Sequence, residues 1–105
     1  MRLPIIAATL ALVGATYATP VLANSDGCWA FRDSASYIMD WRQNGWTPDA
    51  VRQELHSTVG SNIEVFEPMV QDAFATPVYS NPIDRRAIIQ EFGRYWYDLC
   101  VDAFD

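Results

Sequence analysis

Two cysteines, one histidine and thirteen carboxylates are the side chains of this chain best suited to chemistry. Cys28 and Cys100 with His56 make too small a donor set for a metal centre, and a redox pair is usually a closely spaced motif. A structural disulfide is their simplest use. It would close a loop across 72 positions, for which the chain-entropy argument gives about 4 kcal/mol. His56 precedes Ser57, but neighbours on a helix point about 100° apart, so the two do not face each other as a relay requires. Near a helix C-terminus, His56 instead favours the dipole when charged. The carboxylate pairs Glu64/Glu67 and Asp33/Asp40 have the residue types of glycoside hydrolysis, yet each has a capping or solvating use already. With no lysine for a Schiff base and no glycine-rich phosphate loop, no catalytic residue, metal site or cofactor is expected.

The chain that must position these groups is 105 residues long, half hydrophobic, with 13% aromatic and 19% charged residues and a net charge of −6. Every cation is an arginine. Nucleic acid is disfavoured as a partner because phosphate neutralisation needs a basic footprint, and so is an anionic membrane surface. Arg2, the apolar run Leu3 to Val13 and the segment Val21-Leu22-Ala23 read as a secretory signal peptide, residues 1–23, cleaved before Asn24. Cleavage leaves a single domain, residues 24–105, with six arginines against thirteen acids, a charge of −7. No stable membrane insertion is expected after that cleavage, and an oxidising periplasmic or secreted setting suits the disulfide.

Residues 24–105 read as four helices. The first runs from about Asp26 to Asn44, with Cys28, Phe31, Ala35, Ile38, Met39 and Arg42 on one face. Gly45 is a left-handed C-cap, and Trp46 falls where a Schellman motif sets an apolar contact on Trp41. Thr47 is then an N-cap with Pro48 at the first helical position, and Trp46 and Val51 have staple spacing. Val51 and Leu55 point inward on a second helix ending near Gly60. Ser61 and Glu64 make a capping box for a third helix with the stripe Ile63, Phe66, Val70, Ala73 and Phe74, where Pro68 predicts a kink or restart. Residues 75–82 form an extended connector, and Asn81 with Pro82 opens a last helix reaching about Ala103. Bridging the cysteines sets helices one and four antiparallel, giving an all-α fold, a small four-helix bundle or orthogonal array with helix one stapled to helix four.

Aromatic residues mark the candidate surfaces. With Ile88, Phe92, Leu99 and Ala103 as the buried centre of helix four, Tyr95 and Trp96 fall at its margins and Tyr97 falls opposite. Arg94, Tyr97 and Val101 then share an exposed side of interface-like composition, unless something covers Tyr97. Tyr37 and Trp41 lie off the main stripe of helix one at i, i+4 and are a second partner-binding candidate. Arg85 falls on the apolar side and is expected to snorkel or to pair with an acid such as Asp84 or Asp49, while Arg86 faces outward, where it can join the patch.

Taken together, the leader, Cys28, the segment Ile38-Met39-Asp40-Trp41-Arg42-Gln43-Asn44-Gly45 and the aromatic last helix ending in Cys100 resemble small exported two-cysteine helical bacterial proteins with an Arg-Gln-x-Gly helix end. The resemblance implies compartment and fold and transfers no catalytic residue. The expected function is a non-enzymatic protein-binding module of the inhibitor or immunity type in the bacterial periplasm. Its acidic surface favours a basic protein partner. The alternative is an envelope or acid-stress chaperone that opens when its carboxylates protonate.

Overall fold

The computed structural model describes residues 25–104; the signal peptide expected at 1–23 lies outside them. The elements are α1 (Ser25–Gln43), α2 (Pro48–Val59), a 3₁₀ helix (Gly60–Phe66), α3 (Glu67–Phe74) and α4 (Pro82–Phe104).

Each boundary has a local cause. Gly45 ends α1 at φ +89°, where a side chain would be strained. The Trp46 N–H donates to the Trp41 carbonyl at 3.0 Å and the Gly45 N–H to the Arg42 carbonyl at 3.1 Å, the two bonds of a Schellman motif. Trp46 also stacks on Trp41, centroids 5.0 Å apart and planes 14° off parallel, but remains 36% exposed. Thr47 Oγ1 accepts from the Ala50 N–H at 3.1 Å to cap α2, and Asn81 Oδ1 accepts from the Ile83 N–H at 2.7 Å to cap α4. No α-helix starts at Ser61, contrary to the capping-box reading. A helix running through Pro68 would set its ring against the Glu64 carbonyl. The chain winds instead as a 3₁₀ helix with i→i+3 bonds, and α3 restarts at Glu67 with Pro68 in its first turn.

The core combines Ala35, Ile38 and Met39 of α1, Val51 and Leu55 of α2, Met69, Val70 and Ala73 of α3, and Phe92 of α4. Burying each large side chain contributes roughly 1.5–3 kcal/mol. The most extensive contact is between α1 and α4, which run antiparallel. Cys28 and Cys100 are bonded across it, with Cα atoms 5.5 Å apart.

The connector after α3 is held by side chains of α1. Gln43, only 2% exposed, donates from Nε2 to the Pro77 carbonyl at 2.8 Å and accepts the Tyr79 N–H on Oε1 at 2.8 Å. Arg42 Nε donates to the Thr76 carbonyl at 3.0 Å while its guanidinium covers Phe74. Among the described residues Arg85 pairs with no acid: its Nε donates to the Tyr79 carbonyl at 2.6 Å, because the connector delivers that backbone oxygen beside the start of α4. The expected Asp84 or Asp49 pairing is thereby corrected.

Candidate functional site

The rotation of α4 about its axis decides which aromatic residues meet solvent. Gly93 is buried against α1, where an added Cβ would strike Ser36 Oγ and lie 3.3 Å from the Arg32 carbonyl. Cys100, seven residues on and therefore on nearly the same side of the helix, is tied to Cys28. These two points turn the line Gly93–Cys100 toward α1. Leu99 and Ala103, expected at the buried centre, are consequently exposed. Trp96, expected at the margin, lies in the seam between Phe31 at 5.9 Å and Phe92 at 6.3 Å. Its Nε1 is buried with no hydrogen-bond partner among the described residues.

The same rotation corrects the expected Arg94, Tyr97 and Val101 surface. Tyr97 lies at the edge of the α1–α4 seam, half-buried, with Trp29 covering it at a centroid separation of 5.0 Å. Val101 is half-buried too, and Arg94 alone of the three is exposed. Trp29 carries the Arg32 guanidinium at 4.9 Å on its ring. Of the second candidate pair, Tyr37 is exposed as expected, whereas Trp41 is half-buried and packs against the core; Tyr37 stacks on Trp41 at 6.3 Å, so that Tyr37, Trp41 and Trp46 form one run of stacked rings. Among the described residues no aromatic contact joins this run to Tyr97.

A surface that sequence periodicity missed lies at the disulfide end. Phe31, Val65, Trp96, Leu99, Ala103 and Phe104 line an open groove of about 490 Å³ between α1, the 3₁₀ helix and α4, with Cys100 in its wall. Val65 is 61% exposed, Leu99 40% and Phe104 58%. Apolar side chains exposed together in this way mark interaction surfaces more often than they occur by chance. The signal that could have found the groove was Gly93, whose missing side chain leaves no mark on an apolar pattern.

The titratable groups are engaged structurally or face solvent. Arg52 pairs bidentately with Glu67, Nη2 to Oε2 at 2.8 Å and Nε to Oε1 at 3.0 Å, tying α2 to the first turn of α3. The hydrogen bonds from Arg52 and its positive charge hold the Glu67 carboxyl below its usual range, and Glu67 in turn raises Arg52. A third of each side chain meets water, which limits the pair to about 0.5–1 kcal/mol. His56 is exposed on the last turn of α2. Among the described residues no three His, Cys, Asp or Glu side chains gather in a metal-ligating group, and no helix is long and apolar enough to cross a membrane. The disulfide is compatible with an oxidising compartment. Comparison with known protein families, curated proteins and solved structures finds none that matches the chain.

Proposed function

We propose that this chain is a non-enzymatic protein-binding module of the bacterial periplasm, of the inhibitor or immunity kind, and that it captures a basic protein partner in the groove at the disulfide end. The observation that carries the reading is the open apolar groove on a stapled seam. A groove fixed by a disulfide loses little freedom on binding, so more of its contact energy appears as affinity. Among the described residues no arginine lines it, while Glu64, Asp98 and Asp102, each adjacent in sequence to a groove residue, are exposed and make no ion pair. A basic partner complements that rim. The resemblance to small exported two-cysteine helical proteins supplies the compartment in this reading.

Capture from a periplasmic extract tests it. The intact protein should retain one partner at stoichiometric amount, increasing salt should weaken the complex, and Leu99→Asp should abolish it while Arg86→Ala does not. Absence of any stoichiometric partner, or capture indifferent to Leu99→Asp, contradicts the proposal. The chaperone reading draws on a different observation, the Arg52–Glu67 bridge between α2 and α3, which acid would break. Suppression of client aggregation at low pH, with loss of near-ultraviolet circular dichroism, would favour it. Acid that changes neither would dismiss it.

A further inference from the structure

A second groove, between α1 and α2, has a different chemistry. It measures about 200 Å³ and is lined by Ser34, Tyr37, Trp41, Glu54, Leu55 and Thr58. One wall is aromatic: Tyr37, 62% exposed, is the outer end of the run that continues through Trp41 to Trp46. Glu54 lines the groove as well, and its carboxylate has no ion pair or side-chain hydrogen bond among the described residues. Among the described residues no cation lines the groove. Aromatic faces attract cations through the ring quadrupole, and a carboxylate beside them adds a charged acceptor.

We propose that the Tyr37–Trp41–Glu54 groove is a docking pocket for an arginine side chain of a protein partner. A guanidinium can lie flat on a ring and still present paired N–H donors to a carboxylate, whereas the compact, strongly hydrated lysine ammonium does neither as well. Three of the chain's own arginines use one or other of these contacts: Arg32 and Arg42 lie over Trp29 and Phe74 at 4.9 and 5.0 Å, and Arg52 grips Glu67 with two nitrogens. The groove offers both contacts together, and its volume suits one extended side chain. Ser34 and Thr58 at its edge donate their hydroxyls to the Ala30 and Glu54 carbonyls and keep oxygen lone pairs for a backbone N–H of the partner. This pocket is separate from the disulfide-end groove, and the inference does not depend on that groove being occupied.

Amide chemical shifts of the oxidised protein, titrated with N-acetyl-arginine amide, test the pocket directly. Saturable shifts should concentrate at Tyr37, Trp41, Glu54 and Leu55. N-acetyl-citrulline amide, which keeps the shape and loses the charge, should give none, and N-acetyl-lysine amide should bind at least threefold more weakly. Glu54→Gln and Tyr37→Ala, both at exposed positions, should each weaken the arginine probe fivefold or more with an unchanged melting temperature. Leu99→Asp should leave the titration unaltered, so failure here and failure of the disulfide-end groove are read separately. The proposal is overturned by shifts that do not saturate at these residues, by equal binding of arginine and citrulline or of arginine and lysine, or by a Glu54→Gln protein that binds as the wild type does.

Discussion

Gly93→Ala reverses the sign expected from helix propensity, which makes it the most decisive single substitution in the fold. In a solvent-facing helix interior, exchanging glycine for alanine stabilises by roughly 0.8–1 kcal/mol. At Gly93 the new methyl would land on Ser36 Oγ and stand 3.3 Å from the Arg32 carbonyl. The hydroxyl can rotate away only within the rotamers its helix allows, and the carbonyl belongs to the backbone of α1 and yields little. Overpacking of this kind costs about 1–3 kcal/mol, so the net expectation is a loss of about 1 kcal/mol. For a domain of this size that lowers the melting temperature by roughly 4–8 °C. Adding Ser36→Ala removes the nearer obstacle. The double variant should then be at least as stable as Ser36→Ala alone, a coupling of about 1 kcal/mol or more. Thermal melts of the four oxidised proteins, with urea midpoints beside them, measure the cycle. A Gly93→Ala protein that melts higher than wild type, with no coupling to Ser36, would show that α1 and α4 do not meet at Gly93 and would remove the reason given for the exposure of Leu99.

Gln43→Leu keeps the volume but strips the Pro77 carbonyl and the Tyr79 N–H of their partner; with both groups only part-buried, a loss of about 2 kcal/mol and faster amide exchange at Tyr79 are expected, and unchanged exchange would contradict the clamp. Trp46→Ala should cost about 2 kcal/mol, below the 3–5 kcal/mol of a fully buried aromatic because Trp46 is 36% exposed; an unchanged melt would mean that its stack on Trp41 contributes nothing. Glu67 has a folded-state pKa below its unfolded value, so its contribution is complete above the unfolded pKa of about 4.3 and disappears as pH falls through the folded value. Glu67→Gln should therefore destabilise by about 0.5–1 kcal/mol at pH 6 and by progressively less toward pH 2; a pH-independent difference in urea midpoints would refute the linkage.

Where chemistry is local, the sequence was informative. The Asn44-Gly45 stop, the Thr47-Pro48 start, the Asn81-Pro82 start and the Trp41–Trp46 contact all follow from a residue acting within one turn of itself, and the structure contains each of them. The pairing of Cys28 with Cys100 was legible because there was nothing else for either to bond. Pro68 announced its restart, although the 3₁₀ segment before it did not follow from Ser61 and Glu64. The facing of α4 was not legible. Leu99 and Ala103 are apolar and drew the inferred stripe toward themselves, whereas the true contact line passes through a glycine with no side chain and a cysteine whose direction is set by its bond. Phe92 is buried as the pattern implied, but the contact with α1 lies further round the helix at Gly93 and Cys100, so Trp29 covers Tyr97 and the groove opens at Leu99. Gln43 was hidden for a related reason: a buried amide is satisfied by backbone 34 and 36 positions away, and no periodicity reports that.

Whether the groove beside the disulfide receives a protein is tested most directly by site-specific photo-crosslinking in intact cells. With p-benzoylphenylalanine replacing Leu99, which is exposed in the groove, irradiation should give one discrete adduct larger than this chain by the mass of a single partner protein. The same group at Arg86, exposed on the first turns of α4 and outside the groove lining, should give none. No adduct from position 99, or an equal yield of the same adduct from position 86, would contradict the account.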